Sequence, residues 1–224
     1  MKRNQSGFTL IEIAIVLVII GLLLGGVLKG QELINSAKVK NLATDFRNIP
    51  VYVYGYQDKF RALPGDDVGA GSHVAAATVA TGASAGNGVI DGKWDEPANY
   101  SSETQLFWMD VRLANLAAGP TASGADLIPT NSFGGAIGIT SGNVGNNPDT
   151  SATPIQGTYI ICSAAILGKF AAQLDIQMDD GNPNTGSMRT YTQIGRGSIL
   201  TPAVPVASTG QVDPSSSFVV CMGV

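Results

Sequence analysis

Charge is scarce in this chain. Its 224 residues include 13 Lys or Arg and 17 Asp or Glu, 13% in all, where an ordinary soluble domain has about 25%. Such sparsity excludes a charged disordered tail and a coiled coil. With a net charge of -4 and no cationic run, the footprint needed to track phosphates is missing, so no nucleic-acid partner is expected. A single histidine and two cysteines leave few ligands for zinc and few bases for catalysis. Glycine is plentiful instead, at 28 residues, and the length allows one compact domain with an appendage.

The charge deficit has one main source. From Phe8 to Leu28 the only charged residue is Glu12, and 15 of the 21 residues are Phe, Leu, Ile or Val. A helix of that length spans about 31 Å, close to the roughly 30 Å hydrocarbon core of a bilayer. Insertion gains several kcal/mol from these side chains, against at most about 3 kcal/mol for one carboxylate near the end. Lys2 and Arg3 stand before the run without a balancing acid, which predicts a cytoplasmic N-terminus. A cleaved signal peptide would use Ile13 to Leu24 as its apolar region and Gly25 and Gly26 near the cut. Against it, Glu12 sits where that region should begin, and helical patterning continues past the cut. Leu42, Phe46, Ile49, Val53, Tyr56, Phe60 and Leu63 recur at alternating spacings of four and three, one stripe of a helix. The pattern predicts a helix over 8–62, with 8–28 in the membrane and Pro50 bending or unpairing it.

The residues Gly7-Phe8-Thr9-Leu10-Ile11-Glu12, after a short basic leader and before an apolar run, resemble the processing site of type IV pilins and type II secretion pseudopilins. The resemblance implies a leader of residues 1–7, cleavage between Gly7 and Phe8 by a prepilin peptidase, and N-methylation of Phe8. It implies that Glu12, the fifth mature residue, pairs with the Phe8 amine of a neighbouring subunit. Such a pair satisfies two buried charges only in register, and head-to-tail contacts of this kind propagate into a filament. The implied partners are other pilin or pseudopilin subunits, the inner-membrane assembly machinery and, before assembly, membrane lipid. The implied location is the bacterial inner membrane, with a single pass and a periplasmic head, followed by the pilus or pseudopilus.

Beyond Pro64 the composition turns to Gly, Ala, Ser, Thr and Asn, marking a head over 63–224. Residues 65–92 have few bulky apolar groups and read as a long excursion with little core. Ser102 and Gln105 have the spacing of a capping box, and Leu106, Phe107, Val111, Leu113 and Leu116 form a helix face ending at Gly119 and Pro120. Strands are predicted at Ala136–Ile139, Thr158–Ile161 and Phe218–Met222, with a helix from Leu167 to Met178. The expected fold class is α+β: a long N-terminal helix against a head with a small antiparallel sheet and one or two short helices. The pilin resemblance implies the same architecture.

Cys162 and Cys221 fall in two predicted strands. In an exported head they form either a disulfide, contributing about 4 kcal/mol through loop closure, or two buried thiols. Pilins often tie their C-terminal region with a disulfide, though over shorter loops. Gly82-Ala83-Ser84-Ala85-Gly86 matches the G-x-S-x-G elbow, but the only histidine, His73, lies upstream in a Gly- and Ala-rich stretch, so the match reads as loop and His73 as a surface residue. Asp66, Asp67, Asn87, Asp91 and Asp95 crowd one loop-rich region. They are weak calcium candidates without the EF-hand register, and Asx-rich turns are the simpler reading. Asp179-Asp180-Gly181-Asn182-Pro183 reads as a turn. No cofactor other than calcium is expected, and no enzyme activity. The reading is a structural pilin-like subunit, and its competitor is a secreted or tethered binding protein that does not polymerise.

Overall fold

The computed structural model describes residues 9–81, 84–96, 102–122, 127–143, 145–192, 195–198, 200–203 and 211–224. Helix α1 runs from Leu10 to Phe60. The chain divides into two units, Met1–Lys38 and Val39–Val224. In the first, every residue from Thr9 to Lys29 is exposed. In the second, α1 buries Val39, Leu42, Ala43, Phe46, Ile49, Val53 and Tyr56, the face that the alternating spacing selects. Helical geometry continues through Pro50, although proline supplies no N–H for the Phe46 carbonyl. Arg61, at φ 56°, follows the last turn, ahead of Pro64.

The head core is built on these residues. Helices α2 (Ala70–His73), α3 (Glu103–Leu113) and α4 (Gly168–Met178) accompany a five-stranded antiparallel sheet in the order β1-β2-β5-β3-β4. The strands are β1 (Ile137–Ser141), β2 (Tyr159–Leu167), β3 (Met188–Thr192), β4 (Thr201–Pro202) and β5 (Ser217–Gly223). Strand alternation assigns the two faces. Tyr159 and Ile161 of β2, with Val220 and Met222 of β5, join Phe46, Ile49, Phe107 and Leu174 in the main core. Ile160, Cys162, Val219 and Cys221 face the other way, onto Trp94, Ile155, Tyr191 and Leu200. A sheet covered on both sides needs apolar residues at consecutive positions, which is why β2 reads as Tyr-Ile-Ile-Cys. The α+β expectation holds, and β3 and β4 add two strands to the three anticipated.

Two local expectations are corrected. Ser102 is the N-cap of α3 but makes no capping bond with its side chain. Its hydroxyl meets Thr104 Oγ1 at 2.7 Å, while the buried Gln105 donates to the Glu96 carbonyl at 2.8 Å and accepts from the Leu127 N–H at 3.1 Å. Loop amides and carbonyls buried beside α3 need those partners more than the helix end does. Helix α3 also stops before Leu116. Asn115 takes φ 60°, its N–H bonds to the Arg112 carbonyl and that of Leu116 to the Val111 carbonyl, which is a Schellman ending with Asn in place of Gly. The 65–92 excursion has little core of its own, as expected: Ala80 and Ile90 join the main core, and Val74 packs with Tyr56 and Ala114.

Candidate functional site

The apolar N-terminal segment opens with a reciprocal cap. Thr9 precedes the first helical residue, Leu10, and Glu12 is the third. The Glu12 N–H donates to Thr9 Oγ1 at 3.3 Å, and the Thr9 N–H donates back to Glu12 Oε2 at 2.8 Å. The Thr9 hydroxyl adds a bond to the same oxygen at 2.7 Å. This is a capping box, satisfying two amides that the helix itself leaves unpaired. The Thr-x-x-Glu spacing was open to view in the sequence. Among the described residues Glu12 Oε1 accepts no hydrogen bond, so one carboxylate oxygen serves the cap and the other is open to a second donor. Gly7 and Phe8, the proposed cleavage pair, lie outside the described residues.

Along the same segment the large side chains have no cover. Leu10 is 92% exposed, Leu22 73% and Leu28 66%. The segment is long and apolar enough to cross a membrane, and only lipid or other apolar helices can take such a surface out of water.

The acidic residues of the 65–96 region act as backbone anchors. Asp66 is buried and accepts the amides of Gly86 and Gly88. Asp67, also buried, accepts from Tyr56 Oη at 2.8 Å and from the Gly69 amide at 2.7 Å, and its Oδ2 lies 2.6 Å from His73 Nδ1. Asn87 donates to Asp91 at 2.9 Å, Asn146 donates to Asp91, and Asp95 accepts the Gly197 amide at 2.9 Å. These are Asx-type and long-range loop bonds, and no three of Asp66, Asp67, Asp91 and Asp95 bring carboxylate oxygens within 4.8 Å of one another. His73 is exposed, as expected, and its ring stacks on Phe60 with centroids 5.3 Å apart. Gly82 and Ala83 of the elbow-like motif lie outside the described residues, and the Ser84 hydroxyl donates to Glu103.

Asp110 of α3 is a residue the sequence reading passed over. Its Oδ2 accepts the Gly65 amide at 2.8 Å, and Oδ1 is buried without a donor. Burial pushes its carboxyl up to about 7, the Gly65 amide opposing and the Asp67 charge adding to the shift. Burial, then the charges of Asp110 and Asp67, also raise the Tyr56 phenol. Tyr56, Asp67, His73 and Asp110 thus form one polar knot between α1, the following loop and α3. Gly65 is required there by its φ of 89° and by space: a Cβ would fall 2.4 Å from the Glu103 carbonyl oxygen.

A second acidic group closes α4. Carboxylate oxygens of Asp175, Asp179 and Asp180 all lie within 4.8 Å of one another, the only such group of three among the described residues. Sequence reading took the last two as a turn and did not connect Asp175 to them. On the far face of the sheet Cys162 and Cys221 are directly opposed on β2 and β5, with Cα atoms 4.0 Å apart, and are joined by a disulfide.

Compared with known families, residues 2–28 match the model of the prokaryotic N-terminal methylation motif. The motif marks the type IV pilin and pseudopilin family, and the long N-terminal helix with its antiparallel-sheet head is a pilin fold of the α+β class. The match covers the N-terminal segment of the chain alone. No curated protein and no solved structure matches it.

Proposed function

We propose that this protein is a structural subunit of a type IV pilus or type II secretion pseudopilus, without catalytic activity. Prepilin peptidase removes residues 1–7 and the new N-terminal Phe8 is methylated. Residues 8–28 hold the subunit in the inner membrane, N-terminus inward and head in the periplasm. The assembly machinery then transfers the segment from lipid to the packed helices of a filament. The observation that carries this reading is the unbroken exposure from Thr9 to Leu28 within the segment that matches the methylation motif. A side-chain surface of that kind suits lipid first and neighbouring copies later.

Glu12 supplies the register. Its Oε2 is held by Thr9, so a neighbour's Phe8 amine can meet Oε1 without breaking the cap. A desolvated carboxylate left unpaired is costly, and a subunit out of register leaves it so. The deciding measurement is the intact mass of the membrane-extracted protein. Loss of residues 1–7 with one added methyl group is expected, and a new N-terminus near Gly26 would overturn the proposal.

A further inference from the structure

Asp175 is 2% exposed, and both of its carboxylate oxygens are buried without a hydrogen-bond donor. Of the carboxylates in the 65–96 region, Asp66, Asp67, Asp91 and Asp95 each receive an amide or side-chain donor. Asp175 instead faces two further acids, Asp179 and Asp180, with oxygens from all three inside 4.8 Å. Among the described residues no Lys or Arg makes an ion pair with any of them. The group sits at the C-terminal end of α4, whose last turn has no basic residue, where the helix dipole already disfavours negative charge. Burial first, then the charges of Asp180 and Asp179, raise the Asp175 carboxyl, and the Gly181 amide offsets only part of this, short of a hydrogen bond. Burial, the neighbouring acids and the helix dipole all oppose a charge on Asp175, and a cation held among the three carboxylates would offset them.

We propose that Asp175, Asp179 and Asp180 form a divalent-cation site that joins the end of α4 to the start of β3. The donors are hard oxygens on a short, irregular connection. This favours calcium, which accepts variable geometry and completes its shell with water, over magnesium, which demands a near-ideal octahedron. The Asp179 side chain is fixed in place, since its Oδ2 accepts the Met188 amide at 2.7 Å. Asp180 is held through both oxygens, Oδ1 accepting the Asn182 amide at 2.8 Å and Oδ2 the Thr185 hydroxyl at 2.6 Å.

The test uses the full chain in detergent, titrated with calcium chloride in a calorimeter and melted with calcium or with chelator. One calcium per chain and a Tm raised by calcium are expected, with at least a tenfold weaker response to magnesium. Asp175→Asn keeps the shape and removes the buried charge, so the chelated variant should melt at or above the chelated parent while its calcium response disappears. Asp180→Asn, at a more exposed position, should weaken calcium binding with folding intact. Asp91→Asn, in the other acidic loop, should leave the response unchanged. A parent chain that ignores calcium, or an Asp175→Asn chain that still responds, would overturn the assignment.

Discussion

Thr9 and Glu12 cap each other across the first turn of α1, each side chain serving the other's backbone amide. Glu12 therefore has a job inside its own chain as well as the one proposed between chains. The two separate by mutation. Glu12→Gln retains an acceptor for the Thr9 amide but loses the charge, whereas Thr9→Val loses the cap and keeps the charge. If charge pairing specifies register, Glu12→Gln and Glu12→Ala both insert into membranes yet fail to enter filaments beside unaltered subunits, while Thr9→Val still assembles. Filament shearing followed by immunoblotting of the fibre fraction reads the outcome. Normal incorporation of Glu12→Ala would remove the pairing.

Asp110 predicts an unusual pH response. Its folded carboxyl is raised to about 7, above the roughly 3.9 of an unfolded Asp. Between those values the folded state holds the extra proton, so this group's contribution to stability falls as pH rises, by up to about 1.4 kcal/mol per unit. Asp110→Asn keeps an acceptor for the Gly65 amide and removes the charge. It should raise Tm at pH 8, change little at pH 4, and flatten the intervening slope in melts of the full chain.

The disulfide closes 59 residues of chain between adjacent strands. Replacing Cys162 and Cys221 together by Ala should cost about 2–5 kcal/mol, measured by urea denaturation. Reductant should lower the parent's midpoint similarly and leave the double variant untouched.

Gly138 of β1 has no room for a side chain: a Cβ would lie 1.9 Å from the Trp94 carbonyl oxygen. Backbone cannot retreat like a flexible side chain, so Gly138→Ala should destabilise by at least about 1–3 kcal/mol. Gly195→Ala, with nothing within 4 Å of the added Cβ, should be near neutral in the same melts.

Phe46 is fully buried in the head core. Phe46→Ala should cost about 3–5 kcal/mol, and Val51→Ala, on the exposed face of α1 at 63% exposure, less than about 0.5 kcal/mol. A circular-dichroism melt distinguishes them.

Much of this was legible along the chain. The stripe from Leu42 to Tyr56 is buried because a 3.6-residue period places those side chains on one side of a helix whatever they meet. Strands β2 and β5 announce themselves by apolar runs. Strand β3, Met-Arg-Thr-Tyr-Thr, does not, since its pairing with β5 comes from register across the sheet and its composition is half polar. The loop acids were only partly legible for a related reason. Asp66 and Asp67 read as turn residues in a Gly-rich stretch, and their burial follows from backbone amides of that stretch that need acceptors.

By itself the sequence determined the capped apolar segment at the N-terminus, its methylation motif and the amphipathic stripe that follows, because these depend on composition and spacing within one local element. Only the tertiary structure decided which carboxylates are satisfied and which are not. Asp67 and Asp175 are the same residue type in comparably polar stretches, and one meets Tyr56, Gly69 and His73 while the other meets two more acids. That difference arises from contacts between segments distant or differently folded in the chain, which no local pattern encodes.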